Sequence, residues 1–388
     1  MSDNFIIEGT VFYGVSYSEP NSLNTITVPD GITEIGDFAF VGGGANFSRV
    51  VIPNTVQKIS NYAFNQCESL KTINIPEGVK ELGDFAFSGC RSLQSILIPD
   101  SVGKIGKNAF SNCTSLQEIR LPNRILKIGE FTFNECTSLK SINIPNSVNE
   151  LGDHAFAGCT SLLSIIISSN LRNIGKNAFC GCVLLQKIKL PNSIYRIDDY
   201  AFSECHSLDS VSLSDNLKVI GYRTFYNCRT MQSLRIPGSL LKIASNAFEC
   251  CNNLKSVVID SGVEYISNLA FDGCSSLESV SIPDTVDHIS GSAFRGCTSL
   301  RTIEVEEGTI VKNGAFHEVT EIQRRKGDPT IKEAKLKKHA ILKKQAFEKR
   351  AARNRFKQKE KSRKRWGILF CLLILSLVVC WYIFYVMH

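Results

Sequence analysis

The chain is short of the groups from which most catalytic and metal sites are built. Six histidines occur in 388 residues. None of His154, His206, His288, His317, His339 and His388 sits in a recognisable nucleophile, metal or phosphate motif. No glycine-rich phosphate loop is present; Gly42, Gly43 and Gly44 read as a loosened turn. Acid pairs such as Asp198 and Asp199 read as solvated turn residues. With 11 Pro and 27 Gly, collagen-like and Pro/Ser-rich low-complexity chains are excluded. The opening Met-Ser-Asp-Asn-Phe-Ile-Ile-Glu has neither the basic start nor the apolar centre of a signal peptide. No enzyme, cofactor or metal site is therefore expected. The composition, 43% hydrophobic and 21% charged, is that of an ordinary folded protein.

Charge is unevenly spread. Residues 321–365 hold 19 Lys+Arg against 5 Asp+Glu, while the rest holds 25 against 32. An acidic body therefore carries a basic segment. Length alone suggests about two or three domains, but periodicity overrides that reading.

Phe40 is followed by Phe64, then by a Phe every 23 residues to Phe294, and by Phe316 after a step of 22. A Cys stands three places after each Phe from Cys67 to Cys297, which uses 11 of the 15 cysteines. A fixed period in the twenties marks a solenoid. One rung reads FNQCESLKTINIPEGVKELGDFA from Phe64. Ile73 and Ile75 are two apart, the period of a strand with one buried face. Pro76 ends the ladder because it donates no hydrogen bond. Val79 and Leu82 bring the chain back over the core, with Gly83 permitting a bend. The Ala-Phe-x-x-Cys segment suits a single helical turn. No rung buries its own apolar side, but stacked rungs do. Some 12–13 rungs at about 4.8 Å give an array roughly 55–60 Å long.

The Leu-x-x-Ile-x-Ile-Pro pattern followed by Ala-Phe-x-x-Cys resembles the BspA-like (Treponema-type) leucine-rich repeat. The resemblance covers about residues 20–318. It implies an α/β repeat solenoid, curved and right-handed, with a parallel sheet on the concave face. It also implies kinship with surface antigens involved in adhesion. The expected organisation is an N-terminal cap (1–25), the solenoid (26–318), a basic juxtamembrane segment (319–366) and a transmembrane helix (367–387).

Pro ends the strand at most rungs but is replaced by Ser168, Ser214, Asp260 and Glu306, each 46 residues apart. Either the array grew in pairs of rungs or Pro is merely optional. The cysteine column has three readings. The favoured one is a buried ladder of small, soft side chains. Disulfides between stacked rungs are a second, but 11 is odd. Zinc is the weakest, since Cys180 with Cys182, and Cys250 with Cys251, lack a second cluster. Many free thiols point to a reducing compartment.

Strand alternation turns Thr72 and Asn74 outward. The column of Thr72 is mostly Ser and Thr; that of Asn74 varies. The varied column nominates Leu97, Arg120, Ile166, Lys189, Arg235 and Val258 as a mixed apolar and basic strip for an unknown protein ligand. A plainly solvated sheet face is the competing reading.

Thr330 with Glu333 forms a capping box that predicts a helix from Ile331. Residues 331–365 have no Gly or Pro, and their apolar residues fall on two sides, which is a poor coiled-coil stripe. Residues 367–387 carry no charge and span about 31 Å as a helix. Trp366 leads this span, and Trp381, Tyr382 and Tyr385 crowd its end, as interface aromatics do. The basic run before it predicts cytosolic repeats held by a C-terminal tail anchor. Lys359, Lys361, Arg363, Lys364 and Arg365 would contact anionic lipid. The surface-antigen kinship implies the opposite orientation, with repeats outside a plasma membrane, and the charge argument is preferred. Asn46 and Asn112 are too few glycosylation sequons to decide. Residues 361–365 also resemble a nuclear import signal, and residues 350–355 a basic DNA-contact helix. No leucine heptad follows, so nucleic acid is not an expected partner.

Overall fold

The computed structural model describes residues 4–16, 24–41 and 47–335, and residues 337, 341, 345 and 348 beyond them. The chain forms two compact units, Met1–Lys326 and Gly327–His388.

In the first unit each rung crosses two parallel ladders. The first ladder carries the strand foreseen from Ile73 and Ile75. It runs from Thr25–Thr27 through Ser95–Leu97, Glu118–Arg120 and their successors to Glu321–Arg325, as short sheets in series. Register is strict: Ser95, Ile96 and Leu97 face Glu118, Ile119 and Arg120, a shift of one repeat. Thr72 is exposed, Ile73 buried, Asn74 exposed and Ile75 buried, as the alternation predicts.

The second ladder was not anticipated. Val79 and Leu82 do not merely reverse the chain. Leu82 belongs to the two-residue strand Glu81–Leu82, which pairs with Lys58–Ile59 on one side and Lys104–Ile105 on the other. Two-residue strands leave too little alternation to be read from sequence. Gly83 and its equivalents have a reason beyond bending. A Cβ on Gly106 would stand 2.4 Å from the Asp84 nitrogen, and one on Gly221 2.3 Å from that of Asp199. The rungs touch backbone to backbone there.

The Ala-Phe-x-x-Cys segment is a ladder of turns, not a helical turn. The residue before each Ala-Phe pair is left-handed, as at Tyr62 (φ 58), Phe85 (φ 55) and Asn108 (φ 55). A second left-handed residue follows Phe by two, as at Gln66, Gly89 and Asn112. These break any run of helical dihedrals. They also turn alternate N–H groups toward the next rung. Tyr62, Phe64 and Gln66 donate to the carbonyls of Asp84, Ala86 and Ser88 at 2.7–2.8 Å.

Two columns run through the core beside the buried Leu, Ile, Val and Ala positions. Phenylalanine rings stack from Phe12 to Phe316, with centroids from 4.6 Å (Phe40 on Phe64) to 5.6 Å (Phe110 on Phe133). Phe12 lies outside the 23-residue period, and it starts the column by stacking on Phe40 at 5.2 Å. Beside the rings runs the thiol column. All eleven ladder cysteines are free and buried. Each donates its S–H to the carbonyl of the Phe one rung earlier, as Cys90 to Phe64 (3.2 Å) and Cys159 to Phe133 (3.2 Å). The same Phe64 carbonyl also accepts the N–H of Cys67 at 3.2 Å. A carbonyl has two lone pairs, and in a dry core both want donors. This supports the buried-ladder reading and explains why the small apolar filler is cysteine. Burial pushes the thiols of Cys67, Cys113 and Cys251 up to about 12, and that of Cys90 well above its ordinary value.

The two-rung alternation has a physical basis. In alternate rungs a hydroxyl two places after Pro donates to a carbonyl of the rung before: Thr55 to Ile32, Ser101 to Val79, Ser193 to Leu171, Ser239 to Leu217 and Thr285 to Val263 (2.6–2.9 Å). Ser147 breaks the series, its hydroxyl having no partner. In intervening rungs that lack Pro, Ser168 donates to Val148 at 2.7 Å and Ser214 to Asn192 at 3.3 Å. Two neighbouring rungs meet the same need differently, which favours the paired-rung reading.

Each end of the array carries an added element on one of its ladders. The hairpin of Asn4–Glu8 and Val11–Ser16 covers the first edge of the second ladder. At the other end, strand Glu321–Arg325 pairs in parallel with Thr302–Glu306. Arg324 Nη1 donates to the carbonyls of Glu306, Glu307 and Thr309 at 2.8–3.2 Å. The repeat body thus continues past 318, because residues placed in the linker by their charge are in strand register.

In the second unit a helix starts at residue 329. Its cap is Asp328, not Thr330: Asp328 Oδ1 accepts the Thr330 N–H at 2.8 Å and its hydroxyl at 2.6 Å. Pro329 occupies the first helical position, where a missing N–H costs nothing. Those two bonds hold the Asp328 carboxyl below its ordinary value. Lys337 pairs with Glu333 one turn away at 2.7 Å. Among the described residues no helix is long and apolar enough to cross a membrane. The proposed span 367–387 lies outside the described residues, as do Lys359, Lys361, Arg363, Lys364 and Arg365.

Candidate interaction surface

The first ladder turns two columns outward. Strand register brings the six nominated residues onto one of them. Leu97 pairs with Arg120 directly, Asn143 with Ile166, Lys189 with Ser212, and Arg235 with Val258. Leu97, Ile166 and Val258 are 58%, 66% and 48% exposed, large values for apolar side chains in strands. Not every member of the column is free to meet a ligand. Asn74 uses its amide as a substitute for strand backbone, donating to the Ile52 carbonyl at 3.0 Å and accepting its N–H at 3.1 Å.

The two nominated arginines are already neutralised. Arg120 pairs with Asp100 at 2.8 Å. Arg235 pairs with Asp215 at 2.7 Å and with Asp260 at 2.5 Å. Asp100 accepts, besides Arg120, the backbone N–H of Asn123, and these bonds hold its carboxyl below its ordinary value. Sequence reasoning missed these acids, although the signal is simple. Asp100 precedes Arg120 by 20 residues, and Asp215 precedes Arg235 by 20. That offset runs from a strand position to the strand end of the rung before. Lys189 has Ser169 at the same offset, and among the described residues it makes no ion pair.

Away from this column several charged side chains are also paired. A depression of about 610 Å³ on the second ladder is lined by Leu126, Lys104, Lys107 and Lys127 among others. Lys104 and Lys107 there are paired with Glu81 and Glu130. Along the turns, Glu204 accepts from His206 (2.7 Å) and Asn227 (2.6 Å), while Arg223 bridges to Glu249 at 2.9 Å. The two off-ladder thiols near this edge, Cys180 and Cys250, are half-buried, and burial raises both. Among the described residues no three His, Cys, Asp or Glu side chains are grouped to hold a metal ion.

Comparison with known proteins accords with this architecture. No curated protein matches the chain. Among solved structures it is similar to a leucine-rich repeat protein from Bacteroides ovatus, with 24% identity over 84% of this chain and 99% of that one (TM-score 0.49). It is similar to a leucine rich cell surface protein from Faecalibacterium prausnitzii, with 26% identity over 85% and 94% (TM-score 0.47). It is also similar to the pneumococcal vaccine antigen PcpA, with 16% identity over 84% and 98% (TM-score 0.50), a likeness of fold. The model of the BspA type leucine rich repeat region matches in six overlapping copies, at 6–116, 43–162, 80–209, 126–255, 196–323 and 241–349. With the parallel ladders, the 23-residue rungs and this match along most of its length, the chain belongs to the BspA-type leucine-rich repeat family.

Proposed function

We propose that this protein is a non-enzymatic scaffold that binds other proteins through the outward columns of its first ladder. A C-terminal anchor holds it at a membrane with the repeats in the cytosol. One observation carries the reading. The inward positions repeat the same side chains rung after rung, whereas the outward column of Leu97, Ile166 and Val258 changes at every rung and exposes large apolar groups. Burying such groups against a partner releases roughly 25 cal/mol per Å². The charge-free run 367–387 and the basic residues before it support the anchor.

The binding claim is tested by co-purification from cells expressing the full chain. Replacing Leu97, Ile166 and Val258 together by Ser abolishes recovery of specific partners; unchanged recovery would remove the assignment. The topology is tested by protease treatment of intact cells carrying an N-terminal tag. A tag that survives until permeabilisation fits cytosolic repeats. A tag lost from intact cells favours the second reading, a surface antigen with repeats outside. That reading draws on the family and on relatives described as a cell surface protein and a vaccine antigen.

A further inference from the structure

The first ladder's face is not uniformly basic and apolar. The two nominated arginines, Arg120 and Arg235, carry their own counter-ions, and the middle of the ladder does not. Three consecutive rungs, at 140–146, 163–169 and 186–192, hold no acidic residue on this face. They hold Lys140, Lys187 and Lys189, all exposed and none in an ion pair among the described residues. The strand-end position that supplies Asp100 to Arg120 and Asp215 to Arg235 is Asn146, Ser169 and Asn192 in these rungs. The position that supplies Asp260 to Arg235, 25 residues on, is the buried Ser214 for Lys189. Carboxylates return in the flanking rungs, at Glu118, Asp209 and Asp215; Asp209 already accepts the Ser210 hydroxyl at 2.9 Å, and Asp215 is paired with Arg235.

Between these lysines lie two exposed apolar side chains, Leu163 (46%) and Ile166 (66%). The Leu163 N–H donates to the Lys140 carbonyl at 2.9 Å, which ties the first two rungs. Ser164 pairs with Lys187, which fixes the third. With strands about 4.8 Å apart and about 3.3 Å per residue, Lys140 and the Lys187–Lys189 pair lie on the two rungs that flank the apolar pair; the Lys140 backbone is about 10 Å from Lys187 and about 14 Å from Lys189. The screening length at 0.1 M salt is about 10 Å, so Lys187 and Lys189, two places apart on one strand, repel each other across water, and Lys140 adds positive potential from the far side. A ligand bringing carboxylates relieves that repulsion and gains the apolar burial as well.

Resting on the scaffold reading above, we infer that this central patch is where the partner docks, and that it takes an acidic peptide segment bearing an apolar side chain flanked by carboxylates. The flanking pairs, Arg120 with Asp100 and Arg235 with Asp215 and Asp260, bound the patch and confer little attraction for acids.

A photo-crosslinking residue placed at position 166 of the full chain, and in parallel at 97 and 258, tests this in cells. Crosslinked peptides are sequenced by mass spectrometry. The expected product at 166 is a peptide with an excess of Asp and Glu. Its yield falls at least tenfold in the Lys140→Glu, Lys187→Glu, Lys189→Glu variant, and it survives Arg120→Gln with Arg235→Gln. A neutral or basic peptide, a lipid, a nucleic acid or a second copy of this chain at 166 overturns the inference, as does a yield indifferent to the lysines. Products confined to 97 or 258 overturn it while leaving the scaffold reading standing. Absence of products at all three positions overturns both.

Discussion

Positions 23 residues apart meet the same neighbours in the interior of this protein, and there they carry the same residues. Phe133, Phe156 and Phe179 stack on one another, and Cys136, Cys159 and Cys182 each bond the carbonyl of the Phe a rung before. On the first ladder's outward column the backbone repeats just as strictly, yet Asn143, Ile166, Lys189 and Ser212 follow one another. The same scaffold thus shows both a demand and its absence. Where a side chain completes a column, one residue type serves every rung; where it faces water, the rung tolerates many, and binding has room to specialise.

The largest expected break in the interior comes from alkali. The ladder thiols have folded values raised by burial, to about 12 for Cys67, Cys113 and Cys251. In the unfolded chain they ionise near 8.5. Their contribution is complete below that value and is lost as pH rises through the folded values. Each such thiol adds a slope of about 1.4 kcal/mol per pH unit across the window. The denaturation midpoint is therefore expected to hold steady to about pH 8.5 and then fall steeply. A Cys113→Val variant should show a shallower fall. A flat profile between pH 9 and 11 would mean that the thiols are not the buried donors described.

A single ring is the next test. Phe156 stacks between Phe133 and Phe179, at 5.3 and 5.4 Å. Phe156→Ala leaves a cavity in a column that cannot close without moving two rungs, and should cost about 3–5 kcal/mol in chemical denaturation. Ile166→Ala on the face should change stability by no more than about 0.5 kcal/mol.

The glycine column sharpens the contrast within one structural position. A Cβ on Gly221 would meet the Asp199 backbone at 2.3 Å, while one on Gly129 meets nothing nearer than 3.4 Å, at the Thr132 hydroxyl. Gly221→Ala is expected to lose about 1–3 kcal/mol, as overpacking does. Gly129→Ala is expected to be neutral or to gain about 0.5 kcal/mol by restricting the unfolded chain. Thermal melts of the two variants decide it, and equal losses would show that the column demands glycine for another reason.

Much of the interior was legible in the sequence, because a column that repeats writes itself at a fixed period. The Phe and Cys positions and the inward Ile73 and Ile75 follow from spacing alone. The second ladder was not legible, since Glu81–Leu82 is too short to show alternation. Phe12 escaped because the hairpin that presents it breaks the period. The left-handed residues escaped because Tyr62, Phe85 and Asn108 share a backbone conformation and no side-chain chemistry. On the face, the strip was legible as a list of residues but not as a charge distribution. Its neutralising acids stand 20 or 25 residues away, distances that have meaning only once the rungs are stacked.

The smallest expected effect bears on that charge distribution. Arg120 and Asp100 are both about half exposed, so solvent screens their pair and it stabilises no more than an exposed ion pair does. Arg120→Ala should be slightly destabilising in dilute buffer. In 1 M salt, where the screening length falls to about 3 Å, the loss should vanish. Lys189→Ala has no such pair to break and crowds the same patch as Lys187, so it should lose nothing in dilute buffer. Any gain from relieved repulsion should also vanish in salt. Denaturation of the two variants at both salt concentrations separates a compensated flank from an uncompensated centre. If Lys189→Ala lost stability in a salt-dependent way, Lys189 would have a counter-ion on the face, and the centre would be no different from its flanks.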